Sequence, residues 1–357
     1  MDRFNPRHFA FLILATSIVS LKTYPTIFIA DGGRDSWIAM IIASIIAFLF
    51  FTYLIKVCIR KNSFDLHSIY HKAVGKTFGN ILLGLFIFTM LMTLVESAAV
   101  EANSMHTNMF IETPTWYLLL FFIVPIIYTI RKDIVAIITV TMIGIVLIMI
   151  AGINLSILTS RYKSFKLLLP ILENGLNKGI FIAIIKILGL YGSVSICLPY
   201  LSKLGTTEKM TKAIAIGLLI VIQMQIVSTV GLIMTFGPKK TITFSYPKLI
   251  QTQQVSYFRF LTLGELYVML QILGGWMLKY LVTFYGILII LKGFNLKRKH
   301  LIYLTYIISG LVYGAAYFIS KNLFVLFKFL NYYAFICLIN FVIIPLIVFI
   351  IFSIRTN

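Results

Sequence analysis

The stretch KILGLYGSVS, residues 186–195, sits inside an apolar run from Gly179 to Leu201 that is long enough to cross a bilayer. A helix that only anchored the chain would have no use for a lysine, two glycines and two serines there. In hydrocarbon a helix can unwind only where its freed N–H and C=O groups find partners or face a cavity. Gly189 and Gly192 permit such a departure, and the hydroxyls of Ser193 and Ser195 can bond to exposed carbonyls. The segment therefore predicts a discontinuous membrane helix beside a small-molecule pocket.

The rest of the chain supports a membrane setting. Sixty per cent of the 357 residues are hydrophobic, and the mean hydropathy is +0.99, outside the soluble range. The net charge of +20 is scattered between apolar spans and forms no stripe, which argues for orientation in a membrane and attraction to anionic headgroups, not for nucleic acid. Cys58, Cys197 and Cys337 show no metal or redox spacing and read as small apolar fillers. The first span is interrupted by Lys22 and lacks a small-residue cleavage site, so it reads as retained and not as a signal peptide.

A span needs about 20 apolar residues. By that ruler residues 1–357 form a single all-α polytopic membrane domain with ten transmembrane helices. They fall near 8–30, 36–57, 78–103, 115–130 and 134–155, and near 179–201, 211–236, 265–291, 300–319 and 332–353. The basic loops RKD at 131–133 and KGFNLKRKH at 292–300 place both termini in the cytoplasm, since the opposite loop at 104–115 holds no Lys or Arg. Each half, about 8–155 and 179–353, has a first span with helix-breaking residues and its longest loop after the second span. With five spans per half, equivalent loops fall on opposite sides, which predicts a 5+5 inverted repeat with discontinuous first and sixth helices.

The first break is SLKTYP at 20–25, where Pro25 removes a hydrogen bond and disfavours helix at Tyr24. The expected pocket lies between the broken spans and the third. Its candidate lining is Ser17, Ser20 and Thr23 from the first span, Glu96 and Val100 from the third, and Gly189, Tyr191, Gly192, Ser193 and Ser195 from the sixth. Half-helix ends there suit the carboxylate and ammonium of an amino acid. A charge near the bilayer centre costs at least about 2.5 kcal/mol, so Lys22, Lys186, Lys279 and Glu96 should be paired or line a polar cavity. At about 1.5 Å per residue, Lys22, Lys186 and Glu96 reach similar depth and could cluster, while Glu101 sits near the outer mouth. Snorkelling of the lysines is the competing reading. Lys279 lies nearer the cytoplasm, where it either stands in for a coupling cation, braces the first span or snorkels.

No arrangement suggests an enzyme, a metal or a cofactor. His67 and His71 are four apart in SFDLHSIYHKAVGK and could share a metal, but fit better on the polar face of an amphipathic segment lying on the membrane. GGRDS at 32–36 is a turn signal, not a phosphate loop, because no strand precedes it.

In order and spacing the chain resembles the endospore germination permeases, the B-type membrane subunits of nutrient germinant receptors in spore-forming bacteria. The residues that carry the likeness are DSWIA at 35–39, ETPTW at 112–116 and GGWMLKY at 274–280. The resemblance implies a LeuT-like fold of the amino acid–polyamine–organocation superfamily, unwound in spans one and six around a midplane site. It also implies an A-type membrane subunit and a C-type lipoprotein as partners in the inner spore membrane. The chain departs from the family in lacking a glycine at the first break, where Ser20, Lys22 and Thr23 stand instead; a lysine there would repel a ligand's ammonium. Three functions remain open: a subunit that senses an amino acid or similar nutrient, a proton-coupled amino-acid transporter using Glu96 or Lys279, and an ion or water conduit.

Overall fold

The structure, a computed structural model, describes residues 4–173, 175–255, 263–294 and 298–355. Every regular element among them is helical. Eight helical stretches are long and apolar enough to cross a membrane, and a shorter apolar helix covers Thr115–Ile130. Large apolar side chains such as Leu49, Phe121, Ile153 and Phe318 point outward, as a lipid-facing surface requires.

The expected first span is three short helices, α1 (Pro6–Ser17), α2 (Val19–Thr23) and α3 (Thr26–Gly32). Asn5 starts α1 by accepting hydrogen bonds from the backbone N–H groups of Arg7 and His8. Tyr24 departs from helix at φ −127° and ψ 57°, directly before Pro25. The chain continues through α4 (Ser36–Arg60), α5 (Leu66–Val74), α6 (Lys76–Asn108), α7 (Thr115–Ile130) and α8 (Ile134–Leu158). In the second half α9 (Lys178–Tyr191) passes into a 3-10 stretch, Gly192–Lys203, so KILGLYGSVS changes helix type at its second glycine. Then come α10 (Met210–Thr241), α11 (Pro247–Gln253), α12 (Leu263–Gly293), α13 (Arg298–Ser320), α14 (Leu323–Cys337) and α15 (Ile344–Arg355). Gly237, at φ 70°, kinks α10 ahead of Pro238. A six-residue π stretch, Leu338–Ile343, joins α14 to α15.

Helices distant in sequence pack together. α1 lies along α10, and α9 lies along α4; α12 packs on α8 and α6. The short helix α5 falls between α4 and α6, as α11 falls between α10 and α12. Expected boundaries shift most in the third and tenth spans. α6 runs to Asn108, and the last span starts at Leu323, not near 332. The histidine expectation is corrected in part. α5 is amphipathic, but His67 is buried, with its ring 4.3 Å from that of Phe294 in an edge-on contact, while His71 Nε2 bonds Asn80 Oδ1 at 2.7 Å. The space left by Gly293 and the edge of Phe294 draw the His67 ring inward. All three cysteines are buried and free.

Candidate functional site

Helix α6 carries Glu96 and α12 carries Lys279 into the centre of the bundle, where neither is exposed to solvent. Lys279 Nζ lies 2.7 Å from Glu96 Oε2. The same ammonium donates to Ser20 Oγ at 2.6 Å, and Ser20 Oγ donates to Glu96 Oε1 at 2.8 Å. Tyr24 donates its hydroxyl to the same Oε1. Ser20 and Tyr24 are one helical turn apart, so α2 and its broken end present both to the ion pair on one face. Aromatic rings enclose the ammonium: Lys279 Nζ is 5.4 Å from the Trp276 ring centre and 6.0 Å from that of Tyr333. Trp276 in turn stacks on Tyr24 at 6.1 Å. A fully enclosed pair is tolerable only when such additional hydrogen bonds satisfy both ions.

The freed backbone of the first span has its own partners. Gln225 Nε2, from α10, donates to the carbonyls of Ser17 at 3.1 Å and Ile18 at 2.8 Å. Ser193 Oγ reaches the Thr16 carbonyl at 3.0 Å. The interruption is thereby held by side chains of spans six and seven, as hydrocarbon demands.

The expected trio of Lys22, Lys186 and Glu96 is not assembled. Lys186 Nζ instead donates to Asp31 Oδ2 at 2.6 Å, to the Ile27 carbonyl at 3.0 Å and to Asn331 Oδ1 at 2.8 Å. Depth along a helix does not fix direction around it, and Lys186 faces α3 while Glu96 faces α12. Of the open readings for Lys279, the brace on the first span is the one the geometry matches.

The other expected pocket residues are mostly committed to internal bonds. Thr23 Oγ1 bonds its own helix at the Val19 carbonyl. Tyr191 OH meets Ser44 Oγ at 2.8 Å, and Ser195 Oγ donates to the Phe341 carbonyl at 2.6 Å inside the π stretch. Gly189 and Gly192 are seats for α14 and the π stretch that follows it. A Cβ on Gly189 would collide with the Ala334 carbonyl, and one on Gly192 would lie 2.9 Å from Val342 Cγ2. Val100 and Glu101 are buried, and Glu101 Oε2 makes no hydrogen bond among the described residues. The ring of hydroxyls expected around a ligand is therefore closed on itself.

An opening lies on the other side of α2. A cavity of about 280 Å³ is bounded by Lys22, by α8, α10 and α12, by Lys163 from the loop after α8 and by Lys248 of α11. Lys22 is about half a turn from Ser20 and Tyr24 around the helix, so α2 separates this cavity from the ion pair. Lys22 makes no ion pair or hydrogen bond among the described residues. Burial, with Lys22 and Lys163 alongside, brings Lys248 down to about 7; burial also lowers Lys163.

Sequence reasoning missed Tyr24, Asp31, Gln225, Lys163 and Lys248. Only Tyr24 had a signal, as the residue forced out of helix by Pro25. The others lie in loops or at polar positions within long apolar runs, which become significant only when the packing partner is known.

Long apolar helices, a lipid-facing surface and an enclosed intramembrane ion pair define a multi-pass helical membrane protein with an interrupted first span. A family model described as spore germination protein, the spore permeases, matches residues 3–316, and the chain belongs to that family. Among curated proteins none matches it.

Proposed function

We propose that the chain is the permease-like subunit of a nutrient germinant receptor, built as ten spans in two inverted five-span halves with both termini cytoplasmic. In this reading α1–α3 and the α9–3-10 segment are the equivalent discontinuous spans. The reciprocal packing of α1 on α10 and α9 on α4 supports the inversion, as do the short helices α5 and α11 at equivalent places. An A-type membrane subunit and a C-type lipoprotein would complete the receptor in the inner spore membrane.

One observation carries the sensing role. α2 turns Lys22 toward the cavity and Ser20 toward the Glu96–Lys279 pair. A nutrient bound beside Lys22 would bear on the same short helix that presents Ser20 to the ion pair. It shifts the receptor only by as much as it prefers one setting of that segment over the other. Deletion of the gene should remove the response of spores to one nutrient of a panel. Restoring the wild-type gene should recover it, and restoring Lys22→Met should not. Deletion spores that answer every nutrient as the parent does would refute the proposal. Uptake of labelled nutrient into proteoliposomes driven by a pH gradient would identify a transporter instead.

A further inference from the structure

The cavity beside α2 is chemically one-sided. Lys22, Lys163 and Lys248 all line it, and no carboxylate does so among the described residues. Three ammonium groups gathered at a partly buried site repel one another and lose hydration. Salt bridges are available elsewhere in the protein to lysines that need them: Lys186 has Asp31 and Lys279 has Glu96. Among the described residues Lys22 has no such partner, Lys163 Nζ has the Ser156 carbonyl at 3.4 Å, and Lys248 Nζ has Gln251 Oε1 at 2.8 Å.

The surroundings hold these side chains in place. Gln251 is pinned to α10 through the Gly231 carbonyl at 3.0 Å and Thr235 Oγ1 at 2.6 Å, which fixes the acceptor that orients Lys248. The stem of Lys163 lies over Gly231, where a Cβ would come within 3.3 Å of its Cε. Gly152 likewise leaves room for the Gln271 amide, 2.8 Å from where a Cβ would stand. Ser228 also lines the cavity; it is 7% exposed, and its buried hydroxyl has no hydrogen-bond partner among the described residues. Positive charge, a buried unpartnered hydroxyl and amide groups in one space match the donors that a phosphate or carboxylate takes.

We propose that this cavity is an oxyanion site, in which Lys22, Lys163 and Lys248 hold a carboxylate or phosphate group and Ser228 donates to it. This inference rests on the nutrient reading in sharing its cavity, and names the ligand's charge: an anionic group faces α2, not an amino acid's ammonium. The rim includes Ile153 and Ile157, which are 61% and 63% exposed on the lipid-facing side of α8. The anion therefore has two possible sources, a soluble nutrient or the headgroup of an acidic lipid, with the same chemistry at the lysines.

The test uses the full chain in nanodiscs of phosphatidylcholine and measures binding of labelled inorganic phosphate and of labelled L-glutamate. A second arm adds phosphatidylglycerol and counts the acidic lipid retained by native mass spectrometry. Lys22→Gln or Lys248→Gln should weaken binding about tenfold or more, while Lys22→Arg should keep most of it. Binding in the first arm identifies a soluble anion; retention only in the second identifies lipid. No binding of any of these probes to the wild-type protein would overturn the site, a result that does not depend on any variant folding; binding that folded Lys22→Gln and Lys248→Gln leave unchanged would overturn it too. The nutrient reading fails separately: lysine-dependent oxyanion binding together with an unchanged response of deletion spores would leave the site standing and remove its sensory role.

Discussion

Replacing Lys279 by methionine leaves Glu96 charged in the centre of the bundle. Lys279 is the only described donor to Glu96 Oε2, whereas Oε1 keeps Ser20 and Tyr24. Removing one partner of a buried pair costs about 3–5 kcal/mol, and the two surviving donors place this case near the lower end, at about 3 kcal/mol. That corresponds to a loss on the order of a hundredfold in the folded-to-unfolded ratio. The double variant Lys279→Met with Glu96→Leu removes both charges and should recover most of the loss, since an apolar replacement of a buried pair is often neutral. The three buried cysteines supply the assay: a maleimide dye reacts with Cys58, Cys197 and Cys337 only as the fold opens. Heating purified protein with the dye should show Lys279→Met melting several degrees early and the double variant near wild type. A double variant at least as unstable as Lys279→Met would refute the account, because the cost would then come from lost packing and not from a stranded charge.

Other outcomes follow from the same geometry. Gly189→Val should lower the yield of folded protein, read by size-exclusion chromatography, because the side chain would enter the Ala334 carbonyl; a merely blunted nutrient response with normal yield would contradict the seat on α14. Lys186→Met strands Asp31 and takes the donor from Asn331 Oδ1; since Asp31 is partly exposed, the melting temperature in the thiol-dye assay should fall less than for Lys279→Met. Binding of L-glutamate, whose carboxylates stay ionised throughout, should weaken as pH rises from 6 to 8. Lys248, at about 7 beside Lys22 and Lys163, loses its proton over that range, and the anion must then draw one back. The fall should approach about tenfold per pH unit above 7, and should flatten in Lys248→Gln.

The amino-acid sequence by itself determined that the chain lives in a membrane, where most spans lie and where the first breaks. Span length is set by bilayer thickness and breakage at Tyr24 by the ring of Pro25, and both are local facts carried by consecutive residues. It also showed that Glu96, Lys22, Lys186 and Lys279 need explaining, because the cost of a charge in hydrocarbon does not depend on which partner meets it. Tertiary structure alone decided the partners. Lys22 and Lys279 both interrupt apolar spans, yet the rotation of α2 sends one into an open cavity and the packing of α12 sets the other against Glu96. The glycines of KILGLYGSVS carried the same ambiguity. A missing Cβ serves a ligand or a neighbouring helix equally well, and only the approach of α14 and the π stretch after it chose between them. Side-chain direction around a helix axis is a property of its neighbours, so the pairing of charges and the location of empty space emerge only when all the spans are packed together.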